Sequence, residues 1–179
     1  MSKKVLVLSA SPRKGGNSDL LCFQFVLGAK AAGHQAEKIS LRELNIGYCL
    51  ACDYCKKHDG VCVQKDDMAG ILEKMIAADV IVMATPLYFY NMNAQMKTLI
   101  DRVYPVYPKI SKKEMYFIMT AADSRKEAME TTLEGFRGFT SCLSEAKEKG
   151  VIYGTGVWNI GDIKGSAAMN QAYEMGKNV

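Results

Sequence analysis

The chain alternates short apolar runs with amphipathic stretches. Val5–Leu8 is continuously apolar, the pattern of a strand buried on both faces. Leu20 to Ala32 predicts a helix, capped by Asn17, Ser18 or Asp19 and stopped by Gly33. Ala36–Leu41 predicts a second strand, and Leu44 to Lys65 has neither a helical nor a strand period and predicts a long loop. Asp66 and Asp67 then open an amphipathic helix with Met68, Ile71, Leu72, Met75 and Ile76 on one face. Val80–Ala84 predicts a third strand, Asn93 to Val103 a helix with Met96, Leu99, Ile100 and Val103 inward, and Met115–Thr120 a fourth strand. Lys126 to Lys149 is helical in pattern, with Gly135 and Gly138 as candidate breaks. Val151–Gly156 predicts a fifth strand, and Ser166–Met175 a closing helix stopped by Gly176.

Strands separated by helices imply an α/β fold, a doubly wound parallel sheet with helices on both faces. Ligands of such sheets bind beyond the carboxyl ends of the strands, where the strand order switches. That rule directs attention to the segments after Leu8, Ala84 and Thr120.

A length of 179 residues, 49% hydrophobic and 23% charged, suits one domain spanning residues 1–179. The net charge of +4 is too small, and its lysines and arginines too scattered, to suggest nucleic acid. No apolar run approaches the roughly 20 residues of a membrane span. The short start before Val5 lacks a signal-peptide pattern, so a cytoplasmic location is expected.

The segment after the first strand reads Ser9-Ala10-Ser11-Pro12-Arg13-Lys14-Gly15-Gly16-Asn17-Ser18 and runs into a helix. Ser9, Ser11, Arg13, Asn17 and Ser18 are potential donors to a phosphate, and the helix N-terminus adds free N–H groups and partial positive charge. Gly15 and Gly16 let the backbone curve around an anion. The plain alternative is a turn rich in Ser, Gly and Pro, but five donors at this place favour phosphate. Neither the dinucleotide fingerprint nor the P-loop pattern is present, which leaves a mononucleotide-type phosphate.

Four of the six cysteines, Cys49, Cys52, Cys55 and Cys62, fall within fourteen residues in the spacing C-x2-C-x2-C-x6-C. In a reducing compartment such clusters bind metal or do redox chemistry more often than they form disulfides. Four soft thiolates suit an iron–sulfur cluster or zinc; free thiols or disulfides are the third alternative. His58 could replace one thiolate in a zinc site, although an exposed loop histidine is the simpler reading. Cys22 and Cys142 lie in helical stretches and read as small buried hydrophobes. The stretch Tyr104-Pro105-Val106-Tyr107-Pro108 reads as either an interface or a rigid loop.

The first-loop pattern resembles the phosphate loop of the flavodoxin-like NAD(P)H-dependent FMN reductases. Thr85-Pro86-Leu87-Tyr88-Phe89-Tyr90-Asn91, followed by Gln95-Met96-Lys97 and Asp101-Arg102, resembles that family's isoalloxazine-binding loop and its helix. The cysteine segment at about 44–65, followed by Asp66-Asp67-Met68, resembles its iron–sulfur flavoprotein branch. The resemblance implies five parallel strands in the order 2-1-3-4-5 and one bound FMN. It implies that Ser9, Ser11, Arg13, Asn17 and Ser18 hold the phosphate. Pro86, Leu87, Tyr88, Phe89, Tyr90 and Asn91 then line the flavin ring, and the stretch Ala121, Ala122, Asp123 and Ser124 lies near it. It further implies a [4Fe-4S] cluster on the four cysteines, NAD(P)H as a co-substrate, and a homodimer or homotetramer that brings one subunit's cluster near another's flavin. The expected activity is that of an FMN-dependent oxidoreductase using a small-molecule or protein electron donor and acceptor. A cluster-free FMN or quinone reductase and a non-catalytic flavodoxin-like carrier are the alternatives. With two histidines in the chain, hydrolytic chemistry is disfavoured.

Overall fold

A computed structural model describes all 179 residues. In chain order the elements are β1 (Lys4–Ser9), α1 (Asn17–Ala31), β2 (Gln35–Ser40), α2 (Met68–Ala77), β3 (Val80–Tyr88), β4 (Asn91–Met92), α3 (Ala94–Arg102), β5 (Glu114–Thr120), α4 (Glu130–Ser141), β6 (Lys147–Gly154) and α5 (Ala167–Lys177). Five strands pair in parallel in the order β2-β1-β3-β5-β6, and β4 folds back antiparallel on the end of β3. With the short β4 set aside, this is the expected flavodoxin-like order. The three central strands are apolar on both faces because helices cover both.

On one face α2, α3 and α4 enclose Leu6, Leu8, Ile81, Met83 and Phe117. On the other, α1 and α5 enclose Val5, Val7, Val82, Ile118 and Ile152. Helices α1 and α5 touch backbone to backbone. A Cβ at Gly28 would lie 2.0 Å from the Tyr173 carbonyl oxygen, and one at Gly176 2.1 Å from that of Phe25. Gly176 therefore lies inside α5 as a packing residue and does not stop the helix.

Two further expectations change. The long helical pattern from Lys126 divides into a single 3-10 turn at Lys126–Met129, the helix α4 and, from Lys147, the edge strand β6. Gly135 and Gly138 stay within α4. Lys147, Glu148 and Lys149 favour helix by propensity, yet as an exposed sheet edge they suit a charged strand end that discourages pairing with other chains. A bulge at Lys149 sets the register, since Met115 faces Glu148 and Tyr116 faces Gly150. The third strand also runs past Ala84 to Tyr88 before turning back. No helix is long and apolar enough to cross a membrane.

Candidate functional site

A cleft of about 140 Å³ opens at the carboxyl ends of β1, β3 and β5. Its walls come from Ser11–Arg13 and Gly16–Ser18 after β1, from Pro86–Tyr88 at the end of β3, from Thr120–Ala122 after β5, and from Val157 and Trp158 after β6. The β1 segment is shaped for close approach. Gly15 has φ +67°, and a Cβ on Gly16 would lie 2.5 Å from Ser11 Oγ. Gly16 precedes α1 with no side-chain cap, so the N–H groups of its first turn have no partner within the helix. The Ser18 hydroxyl beside them is buried and has no hydrogen-bond partner. Buried polar groups are normally paired. An orphan hydroxyl beside an uncapped helix start is therefore a place for an oxyanion, and the residues present fit a phosphate group.

The other expected donors are engaged within the protein. Ser9 lies beneath the loop and donates to Asp19 Oδ1 at 3.0 Å. Asp19 also accepts from the Gly15 N–H and from Lys38 Nζ. Burial raises its pKa, but the Lys38 ammonium, Ser9 hydroxyl and Gly15 N–H outweigh burial and hold it below the ordinary carboxylate value. Arg13 donates to the Trp158 carbonyl at 2.9 Å, and Asn17 donates to the Asn159 carbonyl at 2.9 Å. Asn17 Oδ1 accepts the N–H groups of Gly161 and Ile163. In this arrangement Arg13 and Asn17 fasten the segment after β6 over the cleft. Trp158, whose side chain is exposed, is held there. Sequence reasoning passed over Trp158, although it is the chain's only tryptophan and follows the carboxyl end of a strand.

Asn93, buried at the start of α3, ties the loops together. Its amide donates to the Ala10 carbonyl at 2.6 Å, its Oδ1 caps Met96 N at 3.2 Å, and its own N–H reaches Thr85 Oγ1 at 3.1 Å. Beyond it β3 and β4 form a hairpin, with Leu87 opposite Met92 and Tyr88 opposite Asn91. The two turn residues are Phe89 and Tyr90, at φ +50° and +61°. Positive φ at both positions is the mark of a type I′ turn, normally served by Asn-Gly. Met92 packs against α4 beside Gly135, where a Cβ would lie 2.9 Å from Met92 Cε. Pro86, Leu87 and Tyr88 line the cleft, whereas Phe89, Tyr90 and Asn91 stand beyond it, with Phe89 fully exposed. Ala121 and Ala122 line the cleft as well. Asp123 does not; its carboxylate closes on Arg125 in a local two-point ion pair.

The cysteine loop is closed at its neck. Asp67 accepts the Asn45 N–H at 2.7 Å, Asp66 accepts the Gly47 N–H at 3.0 Å, and Gln64 donates to the Tyr48 carbonyl at 2.8 Å. Its far side rests on the Tyr104–Pro108 stretch, where Gly60 approaches the Pro105 carbonyl so closely that a Cβ would lie 2.8 Å from it. Cys49 and Cys52 are exposed and Cys55 and Cys62 half-buried, all as free thiols. No three of the chain's His, Cys, Asp and Glu side chains stand together closely enough to hold a metal ion. The donor chemistry fits a metal or cluster, while the thiols are spread along the loop. Cys22 is buried as expected, and burial pushes its thiol up to about 12. Cys142, by contrast, is exposed at the end of α4, beyond the helix's inward face.

A parallel sheet in this order, with a cleft at the strand ends beside an uncapped helix start, defines a flavodoxin-like domain. Residues 3–139 match the family model described as NADPH-dependent FMN reductase. The chain belongs to that family of FMN-binding, flavodoxin-like oxidoreductases. It is 34% identical over 137 residues to an iron-sulfur flavoprotein of Methanocaldococcus jannaschii, covering 76% of this chain and 70% of that one. It is 44% identical over 99 residues to an iron-sulfur flavoprotein of Archaeoglobus fulgidus, covering 55% of this chain and 48% of that one, so it spans about half that relative's length. In fold it resembles an azoreductase from Bacillus anthracis, with a TM-score of 0.77 over the full length of both chains at 17% identity.

Proposed function

We propose that the protein is an FMN-dependent oxidoreductase of the iron–sulfur flavoprotein type, which passes electrons between NAD(P)H or a protein donor and an acceptor. The observation that carries this reading is the orphan Ser18 hydroxyl at the uncapped start of α1, inside a cleft flanked by aromatic side chains. Ser18 and the first-turn N–H groups are the ones that would hold the phosphate, with Ser11 at the cleft wall and Ser9 supporting the loop through Asp19. Arg13 and Asn17 join the site through the Trp158 segment they fasten. Ligand pockets commonly enclose about 300–1,000 Å³. The 140 Å³ cleft therefore suits the phosphate end, and Tyr88 and Trp158 at its wall, with the exposed Phe89 and Tyr90 beyond it, are the residues that would meet the ring. When bound, FMN supplies hydride and electron transfer. The chain contributes exposed aromatic side chains at the cleft mouth and a stiff proline at the strand end.

Cys49, Cys52, Cys55 and Cys62 are the residues that would hold a [4Fe-4S] cluster, which supplies single-electron transfer. The similarity to chains named iron-sulfur flavoproteins supports this assignment. Exposed apolar side chains gather in two places: Tyr88, Phe89, Tyr90, Trp158 and Ile160 beside the cleft, and Tyr48, Leu50, Val61 and Val63 on the cysteine loop. Patches of this kind mark association surfaces, which supports a homodimer or homotetramer. A second reading, a cluster-free FMN or quinone reductase, is favoured by the spread of the thiols along the loop.

Anaerobic preparation followed by flavin, iron and sulfide analysis tests both readings. FMN with iron and sulfide in near-equal amounts supports the first, and FMN alone supports the second. Absence of FMN overturns both. Steady oxidation of NADH or NADPH with an artificial acceptor separates an enzyme from a carrier.

A further inference from the structure

Arg102, the last residue of α3, is the largest fully buried side chain in the protein, at 2% exposure. A buried guanidinium is costly unless it is paired and its hydrogen bonds are made. Here it forms a two-point pair with Asp66, through NH1 to Oδ2 at 2.6 Å and NH2 to Oδ1 at 2.9 Å. NH1 also donates to the Gly47 carbonyl at 2.7 Å, and NH2 reaches Cys62 Sγ at 3.6 Å. Gly47 stands at the entry of the cysteine loop, and Cys62 and Asp66 at its exit. One planar side chain on a core helix thus touches both ends of the loop and one of its four sulfurs. Nε is buried and makes no hydrogen bond.

We propose that Arg102 is the positioning residue of the cysteine loop, which it fastens to α3 while supplying an N–H donor to the Cys62 sulfur. The proposal rests on the reading of Cys62 as a metal-binding thiolate. Two functions follow from the planar fork. The first is mechanical: with both ends pinned to a core helix, the loop closes over a fixed neck whatever its middle does. The second is electronic. A hydrogen bond to a coordinating sulfur withdraws charge from it, and outer-shell donors of this kind tune a metal site and typically change its affinity by about 10- to 100-fold when removed. A lysine cannot reproduce the arrangement. It reaches Asp66 as a point charge but cannot donate along two parallel lines and to Cys62 at once.

The test compares wild type, Arg102→Gln and Arg102→Lys, each prepared anaerobically. Amide exchange is measured on the metal-free proteins, and Co²⁺ titrations are followed by the thiolate-to-metal charge-transfer band. The expected result for Arg102→Lys is a fold as protected as wild type in the sheet, with faster exchange confined to residues 47–66. Its Co²⁺ affinity falls by about 10- to 100-fold, and its band moves to longer wavelength because the sulfur has lost its donor. Arg102→Gln gives the same changes, larger, if it folds; Arg102→Lys keeps the buried charge paired and decides the matter if it does not. Unchanged exchange and an unchanged band in Arg102→Lys would overturn the proposal, as would a wild type that shows no thiolate band with Co²⁺. A wild type prepared without iron or sulfide that still gives the Co²⁺ band removes the cluster reading alone, and the exchange and band comparisons still decide the role of Arg102.

Discussion

Replacing Phe89 by Asn and Tyr90 by Gly is expected to make the protein more stable and less able to handle its flavin. Both residues hold positive φ in the hairpin turn, at +50° and +61°. For an L-residue with a side chain this region costs roughly 1–2 kcal/mol, and glycine avoids most of that cost. Little opposes the gain. Phe89 is fully exposed and Tyr90 more than half exposed, and the side-chain hydrogen bond onto the turn runs from Thr132 Oγ1 to the Tyr90 backbone carbonyl, which the variant keeps. The net change is a stabilisation of about 1–2 kcal/mol, or a rise in Tm of roughly 2–8 °C for a domain of this size. Thermal unfolding of the metal-free and flavin-free protein, at a concentration where it is monomeric, measures it. FMN affinity and turnover are expected to fall in the same variant, because strained, exposed aromatics at the end of a central strand are placed for ligand contact and not for folding. An unchanged or lower Tm in the monomer refutes the strain argument. A higher Tm with unaltered flavin binding and turnover refutes the functional half.

Ser18→Ala should leave the flavin-free protein as stable as wild type or about 1 kcal/mol more stable, since it removes a buried hydroxyl with no partner. FMN binding should weaken, which fluorescence titration reads directly. Gly28→Ala is expected to cost about 3 kcal/mol or more, because its Cβ meets the Tyr173 carbonyl oxygen at 2.0 Å; urea unfolding gives the value. The Asp66 carboxyl, hydrogen-bonded by Arg102, is held down to about 2 from 3.8. Since the folded value is the lower one, this stabilisation is complete above pH 3.8 and is lost as pH falls through about 2. It amounts to roughly 2 kcal/mol, and Asp66→Asn should flatten the acid limb of the stability curve by that amount.

The buried strands and the inward helix faces were legible because each is a local pattern. Val5–Leu8, Val80–Ala84 and the Met68–Ile76 stripe can be read without knowing their neighbours. The start of β6 was not legible, because Lys147–Lys149 becomes a strand only by pairing across a bulge with β5. The hairpin after β3 was hidden for a different reason. Phe89-Tyr90 is poor turn chemistry, since a two-residue turn with positive φ at both positions is normally served by Asn-Gly. At the cleft, the donor-rich loop after β1 was recognisable from its composition. What Arg13 and Asn17 hold depended on a segment about 140 residues away. The neck of the cysteine loop has the same character: Asp66 and Arg102 were visible as residues of a motif, but not as a pair. The role of Tyr104–Pro108 as the support of that loop required the close approach at Gly60.

The central claim is that the start of α1 binds the phosphate of FMN. The most direct measurement titrates the flavin-free protein with FMN and with riboflavin, which differ only in the phosphate. Two charge-assisted hydrogen bonds at about 1.5 kcal/mol each predict that FMN binds roughly 100-fold or more tightly than riboflavin. The same Ser18→Ala variant should narrow that gap. Equal affinity for the two flavins would contradict the account.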